Sequence, residues 1–301
     1  MKSSDTGIGK PAITCLGFGE AASAFVTGWR RAHAPRVKAY DIKTEHPDPA
    51  TRDQKMQDYA TLDVTGCPST DTALAGASIV FSLVTADQAL VAAESARQGI
   101  EKSTLYLDCN SCSPGTKSRA AALIDAAGAR YVDVAVMAPV HPALHQTPLL
   151  SSGPHAAAAV EVLQRLQMQT TVLTGDVGAA SSTKMLRSIV MKGLEALVAE
   201  CVLAGQRAGV DENVFQSLEA TFPGFGWQSR AGYMLERALT YGVRRAAEMR
   251  EVARTVRELG LPPDMTQAAV RWQQRLGDLK LTATSDDYRQ LAAEIQPHLR
   301  R

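Results

Sequence analysis

From Ala12 to about Leu173, short aliphatic and β-branched runs alternate with alanine-rich stretches, whereas beyond Gly178 helical periodicity takes over. The first pattern predicts strands over 12–16, 37–40, 78–83, 104–108, 130–135 and 170–173. It predicts helices or helical turns over 71–75, 86–98, 114–127 and 155–167. Apolar strands interleaved with helices belong to a parallel sheet covered on both faces. The second pattern predicts a helix over about 179–208, ended by Gly209 and long enough to serve as a backbone for further helices. The expected fold is therefore α/β: a doubly wound, mostly parallel sheet over 1–178, then an all-α domain over 179–301, joined by a long interdomain helix. Residues 222–227, FPGFGW, interrupt the helices and read either as an inter-helix connection or as a pocket wall.

One segment of the first half carries specific chemistry. A strand ending at Leu16 runs into Gly17-Phe18-Gly19-Glu20-Ala21-Ala22, a helix follows, and a second strand ends at Asp41. Gly17 can make the tight turn, Gly19 lets backbone approach a diphosphate, and Ala22 allows close packing of helix on strand. The helix N-terminus directs amides and its positive dipole end at phosphates. An acid about 20 residues beyond the turn can accept both hydroxyls of a ribose and repel a 2′-phosphate. The unit therefore predicts a Rossmann fold that binds NAD. Lys43 and Arg36 lie near enough in sequence to weaken the preference over NADP.

Composition narrows the classes without changing that picture. The 301 residues exceed a usual single domain, and 32 basic against 31 acidic side chains leave a net charge of +1. With no long run of one sign, neither nucleic acid nor a membrane surface is an expected partner. No apolar run is long enough to span a bilayer and the N-terminal MKSSDTGIGKP has no hydrophobic leader core, so a cytoplasmic protein is expected. Five cysteines in a chain of this length suggest reduced thiols. Cys109 and Cys112 form a C-x-x-C without a second pair, and the prolines around His141 and His145 make that stretch a loop, so no metal is expected.

Two further stretches suggest catalysis. Asp108-Cys109-Asn110-Ser111-Cys112-Ser113-Pro114 follows a strand's carboxyl end, where open α/β sheets bind ligands; Asn110 and Ser111 can donate to a carboxylate or hydroxyl. The alternative is a polar turn that caps the next helix at Ser113-Pro114. The second stretch, Gly175-Asp176-Val177-Gly178 followed by Lys184, places a lysine in the first turns of the long helix. There the helix dipole and Arg187 one turn on both disfavour the ammonium form, poising the amine for proton transfer. A solvated surface lysine is the alternative.

The ordered set G-x-G-x-x-A, D-x-N-S-x-S-P, then G-x-x-G and a lysine opening a long helix, resembles the β-hydroxyacid dehydrogenase family over nearly the whole chain. That family includes 3-hydroxyisobutyrate, tartronate-semialdehyde and 6-phosphogluconate enzymes. The run K-M-x-R-S-x-x-x-K-G-x-E-A-L from Lys184 to Leu197 resembles the phosphogluconate-dehydrogenase-like branch. The resemblance implies Lys184 as catalytic acid/base, Asn110 and Ser111 as the substrate-binding pair, and Leu83-Val84-Thr85 as the loop along the nicotinamide ribose, with Asn110 adjoining the cofactor. Gly17, Phe18, Gly19, Glu20, Ala21 and Asp41 would hold the remainder of NAD, and a homodimer is the expected assembly.

The chain also departs from that family. Where D-A-P-V-S-G-G is common, it has Asp133-Val134-Ala135-Val136-Met137-Ala138-Pro139, so glycine amides that would hold a carboxylate are missing. Four residues after Lys184, Ser188 stands where an asparagine is usual. A late K-D motif aligns with Ala247-Glu248, leaving Arg244 and Arg245 one turn earlier as candidates for clamping an anionic substrate. The expected activity is NAD-dependent interconversion of a small 3-hydroxy acid or sugar acid with its oxo form. The alternatives are an imine reductase of the same fold, which the presence of Lys184 disfavours, and a catalytically inactive NAD sensor or scaffold.

Overall fold

A computed structural model describes residues 12–31 and 36–299. The N-terminal segment searched for a leader core lies outside the described residues. The chain forms two compact units, Met1–Lys184 and Met185–Arg301. Among the described residues no helix is long and apolar enough to cross a membrane.

In the first unit, β1 (Ile13–Leu16), α1 (Glu20–Arg31), β2 (Val37–Tyr40), α2 (Pro49–Thr61), β3 (Thr65–Gly66), α3 (Thr70–Leu74) and β4 (Ile79–Ser82) come first. They are followed by α4 (Ala89–Gly99), β5 (Leu105–Asp108), α5 (Pro114–Ala126), β6 (Arg130–Val136), β7 (Leu149–Ser152), α6 (Ala156–Arg165) and β8 (Thr170–Val172). The eight strands lie in the order β3-β2-β1-β4-β5-β6-β7-β8. All neighbours pair in parallel except β6 with β7. The order reverses between β1 and β4, so the glycine turn after β1 opens at the switch point where such sheets bind ligands.

Both faces of the sheet are covered, as an apolar parallel sheet requires. Ile13, Cys15 and Phe81 pack with Phe25 and Trp29 of α1 on one face. Leu16, Val80 and Tyr106 pack with Ala93 of α4 and Ala120 and Ile124 of α5 on the other. The Rossmann expectation holds, with three elements added to it. The stretch expected as a helix or helical turns over 86–98 is a 3-10 turn followed by α4, in agreement with that reading. Helix α2 and strands β3 and β7 were not predicted. Asp48 and Pro49 start α2, but the helix buries only Lys55 and Tyr59 and so has no apolar stripe to read. Strand β7 ends in two fully buried serines that break the aliphatic pattern.

The long helix α7 (Ala179–Ala208) begins in the first unit and continues into the second. The second unit adds α8 (Asp211–Thr221), α9 (Trp227–Glu258), α10 (Asp264–Asp278) and α11 (Tyr288–Ile295). Residues 222–226 connect α8 to α9, and Trp227 already belongs to α9 rather than to the loop. Helices α9 and α10 meet backbone to backbone: a Cβ on Gly242 would lie 2.4 Å from the Gln273 carbonyl oxygen and 2.6 Å from the Gly277 nitrogen. Gly242→Ala should therefore force the helices apart and cost about 1–3 kcal/mol of stability, the usual scale of overpacking. Urea denaturation reads this directly, and an unchanged midpoint would show that the helices separate without penalty.

Candidate active site

The glycine loop is held from both sides before any ligand arrives. Gly17 has φ +83° and donates to the Tyr40 carbonyl at 2.8 Å; a Cβ there would lie 2.6 Å from the Leu83 carbonyl oxygen, so only glycine fits. Phe18 is buried against Tyr59, its N–H donates to Asp41 Oδ2 at 2.8 Å, and its carbonyl accepts from Lys55 Nζ at 2.6 Å. Gly19 and Glu20 are exposed, and a Cβ on Gly19 would meet nothing within 4 Å. Ala21 is half-buried and Ala22 buried against the sheet.

This leaves an open cradle at the start of α1, where the first amides have no intrahelical acceptors. It fits a diphosphate. The second oxygen of Asp41 accepts the Lys43 N–H at 3.0 Å. Each carboxylate oxygen keeps lone-pair capacity, so the group fits a ribose diol as well. Lys43 and Arg36 are both exposed.

Beside this cradle, Leu83, Val84 and Thr85 leave the carboxyl end of β4. The Leu83 N–H donates to the Leu16 carbonyl at 2.7 Å. Val84 donates to Asn110 Oδ1 at 2.7 Å, and Asn110 Nδ2 donates to Ser82 Oγ at 2.9 Å. The buried Asn110 amide thus ties the ends of β4 and β5 together and fixes the loop expected beside the nicotinamide ribose, with one Nδ2 hydrogen left over. The next residue, Ser111, places its Oγ 2.5 Å from Lys184 Nζ. Lys184 is half-buried and belongs to the first unit, with the sheet.

The start of α7, which carries Lys184, is capped by a carboxylate from the sheet. Asp133 Oδ2 accepts from the Gly178 N–H at 3.1 Å, the Ser181 N–H at 3.0 Å and the Ser181 hydroxyl at 3.0 Å. Ser152 Oγ donates to the same oxygen at 3.1 Å and accepts the Ala180 N–H at 3.0 Å. Asp133 Oδ1 lies 3.3 Å from Lys117 Nζ. Lys117 in turn donates to the Asp108 carbonyl at 2.5 Å and to Asp108 Oδ1 at 3.0 Å. Asp108 also accepts the Asn110 N–H at 3.0 Å and the Tyr131 hydroxyl at 2.7 Å.

These charges are sealed from solvent: the side chains of Lys117, Asp108 and Asp133 are 0% exposed. Burial works against the Lys117 ammonium, but the two carboxylates outweigh it and its pKa lies above the ordinary lysine range. Burial, with Asp108 and Asp133 beside it, also holds the Tyr131 phenol well above its usual value. The Cys109 thiol is pushed up to about 12 by burial, with Lys117 opposing only in part. It is a neutral thiol at working pH, not a nucleophile.

Asp108 and Asp133 stood inside sequence motifs without a role, and Lys117 was missed altogether. One signal existed. Lys117 shares the buried face of α5 with Ala120, Ala121 and Ile124 at helical spacing, and a lysine on an apolar stripe demands a partner.

Gly17, Phe18, Gly19, Glu20, Ala21, Asp41, Leu83, Val84, Thr85, Asn110, Ser111 and Lys184 therefore all belong to the first unit. Met137, which leads to the Ala138-Pro139 departure, donates its N–H to the Pro148 carbonyl at 2.9 Å. His145 packs where a Cβ on Gly28 would fall. Among the described residues no cluster of three or more His, Cys, Asp or Glu is arranged to hold a metal ion.

Ser188, Arg244 and Arg245 lie in the second unit. Ser188 is buried. The Arg245 guanidinium pairs with Glu195, which also accepts from Gln273 Nε2 at 3.0 Å, and Arg244 Nε lies 3.3 Å from Glu248 Oε1. Lys192 pairs with Glu248 as well. Both arginines considered for a substrate clamp thus face carboxylates of their own unit.

Comparison with known proteins gives a consistent assignment. Residues 13–175 match the family described as the NAD binding domain of 6-phosphogluconate dehydrogenase, and residues 206–276 match a domain of unknown function, DUF1932. A solved structure of a conserved hypothetical protein from Sinorhizobium meliloti is 34% identical, with 97% of this chain and 98% of that chain covered and a TM-score of 0.79. The conserved protein MTH1747, whose structure was described as similar to 3-hydroxyacid dehydrogenases, is 29% identical over 91% of this chain and 100% of its own, with a TM-score of 0.71. The fold is shared by 3-hydroxyisobutyrate dehydrogenase of Mycobacterium tuberculosis, solved with L-serine, at 14% identity, 96% and 100% coverage and a TM-score of 0.72. An uncharacterised 28.5 kDa protein of Methanothermus fervidus is 30% identical over 143 residues, 48% of this chain; the match spans about half, 54%, of that relative's length.

Proposed function

The chain belongs to the family of the NAD-binding domain of 6-phosphogluconate dehydrogenase, and from that premise we propose an NAD-dependent oxidoreductase that interconverts a small 3-hydroxy acid or sugar acid with its oxo form. The observation that carries this reading is the 2.5 Å contact between Lys184 Nζ and Ser111 Oγ, beside a loop that Asn110 fixes next to the cofactor cradle. A dinucleotide cradle alone fits a sensor. An amine held against a hydroxyl at the carboxyl edge of the sheet fits proton transfer to and from a substrate oxygen.

In the oxidative direction the Lys184 amine takes the substrate hydroxyl proton, while Ser111 Oγ, which accepts from Lys184 Nζ, holds the amine in place and can turn its own O–H toward the substrate oxygen. When bound, NAD supplies the hydride acceptor. The peptide groups around Phe18 would hold its diphosphate and Asp41 its ribose diol, while Asn110 keeps Val84 in place. In the reductive direction the Lys184 ammonium returns the proton to the new alkoxide oxygen.

The deciding experiment is a screen of purified protein against hydroxy acids, sugar acids and cyclic imines with NAD and NADP, read by the absorbance of the reduced nicotinamide. Turnover confined to an uncharged imine would overturn the hydroxy-acid reading. The same protein tests the cofactor assignment: we expect NADH to bind more tightly than NADPH, because the Asp41 carboxylate accepts the diol and repels a 2′-phosphate. Asp41→Ala should narrow the gap. Fluorescence titration in which the parent protein prefers NADPH would refute this role of Asp41.

A further inference from the structure

Lys184 and Ser111 are 73 residues apart and come from different supports, the first turns of α7 and the loop after β5. A hydrogen bond between them survives only if those supports keep a fixed separation. Each support ends on a buried carboxylate. Asp108 closes β5 and receives the Asn110 N–H, which holds the loop that continues into Ser111. Asp133, on β6, receives the Gly178 and Ser181 amides and the Ser181 hydroxyl, which hold the start of α7. Between the two carboxylates stands one ammonium, that of Lys117, 3.0 Å from Asp108 Oδ1 and 3.3 Å from Asp133 Oδ1.

We propose that Lys117 is a positioning residue for the Lys184–Ser111 pair, its buried ammonium joining the carboxylate that holds the Ser111 loop to the carboxylate that holds the first turn of α7. The inference rests on the reading of Lys184 as the acid/base. Lys117 is not itself catalytic: its side chain is fully buried, its Nζ donates to the Asp108 carbonyl, Asp108 Oδ1 and the Val134 carbonyl, and Asp133 Oδ1 lies beside it as an ion-pair partner, so it cannot touch substrate.

The charge count supports this role. Two carboxylates and one ammonium leave one negative charge in the interior, and Asp133 directs it at the N-terminus of α7, where the helix dipole and two amides stabilise it. A buried ion cluster of this kind is a poor source of stability, because desolvation consumes most of the Coulombic gain and an apolar replacement of similar volume often does as well. What apolar packing cannot supply is direction. The hydrogen bonds of Lys117 to Asp108 and to the Val134 carbonyl, and those that Asp133 Oδ2 accepts from the start of α7, each end on a named atom, and reacting groups displaced by about 1 Å can lose about 100-fold in rate.

The test uses the double variant Lys117→Met/Asp108→Asn, which restores the net charge of the cluster and keeps a hydrogen-bonding side chain at 108, together with the milder Ser181→Ala, which removes only one donor to Asp133. Four quantities are compared with the parent protein: NADH affinity, kcat and KM for the best acid from the screen, and the rate at which acetic anhydride labels Lys184 from about pH 6 to about pH 11, a span that covers amine titration. Labelled peptides are quantified by mass spectrometry, with exposed Lys43 as internal control.

NADH affinity should stay within about twofold, and kcat of the double variant should fall by about tenfold or more with a smaller change in KM. Its Lys184 labelling curve should move while that of Lys43 does not. Parent-like kcat and Lys184 labelling in a folded double variant would overturn the proposal. If the double variant does not fold, Ser181→Ala decides, with a fall of about twofold to fivefold in kcat and a shifted Lys184 curve expected, and parent values overturning the idea. Should the parent turn over no hydroxy acid, the labelling still reads the geometry around Lys184, so loss of the functional reading and loss of the positioning role are separate results.

Discussion

Replacing Lys184 with alanine should lower kcat by about 100-fold or more, the usual scale for a positioned acid/base, while NADH affinity stays nearly unchanged. The two effects separate because the bonds that hold Phe18 and Asp41 in the cradle come from Lys55, Lys43 and each other, and their geometry does not depend on Lys184. Ser111 keeps its place in the variant, since its loop is anchored by the Asn110 N–H to Asp108 and by the Asn110 amide to Ser82 and Val84. The residual rate then reports proximity and orientation alone. Steady-state kinetics with the best acid substrate and a fluorescence titration of NADH check both halves. Retained turnover would remove Lys184 from the chemistry.

Arg245→Ala should produce the second large effect, on stability. The guanidinium is paired with Glu195, and the two side chains are 13% and 7% exposed. Removing one partner of a buried pair leaves an uncompensated charge and typically costs about 3–5 kcal/mol, far more than an exposed pair. Gln273 Nε2 remains as a neutral donor to Glu195 and recovers only part of that. Urea or thermal unfolding should show the loss in the helical unit, and Arg244→Ala, in which the lost side chain is 57% exposed, should change stability little. A raised KM with unchanged stability in the Arg245 variant would instead favour the substrate clamp suggested by the sequence.

What could be read from the chain, and what could not, follows from the kind of interaction each element uses. The turn at Gly17, the acid at Asp41 and the full extent of α7 were legible because each is a local signal: a backbone conformation, a spacing, a periodicity ended by Gly209. Helix α2 was not, because Lys55 and Tyr59 are its only buried side chains. Strand β7 was hidden for a related reason, since Ser151 and Ser152 are buried through hydrogen bonds to Thr170, Asp133 and Ala180 that no local pattern announces. In the site, Ser111 and Lys184 could be found one motif at a time. For Lys117 the apolar stripe of α5 could announce a buried lysine but not its partners, which lie on two separate strands and meet it only once β5 and β6 are side by side.

The double hold on Phe18 has a consequence for changing the cofactor. In the proposed reading Asp41 has two tasks for one carboxylate, selecting the ribose as well as accepting the Phe18 N–H that keeps the glycine turn in shape. Evolution or engineering toward the phosphorylated dinucleotide therefore cannot delete the side chain without loosening the turn that both cofactors need. A route that keeps an acceptor while discarding the charge, through asparagine or serine at position 41, with exposed Lys43 and Arg36 left to meet the phosphate, preserves the loop and changes only the preference.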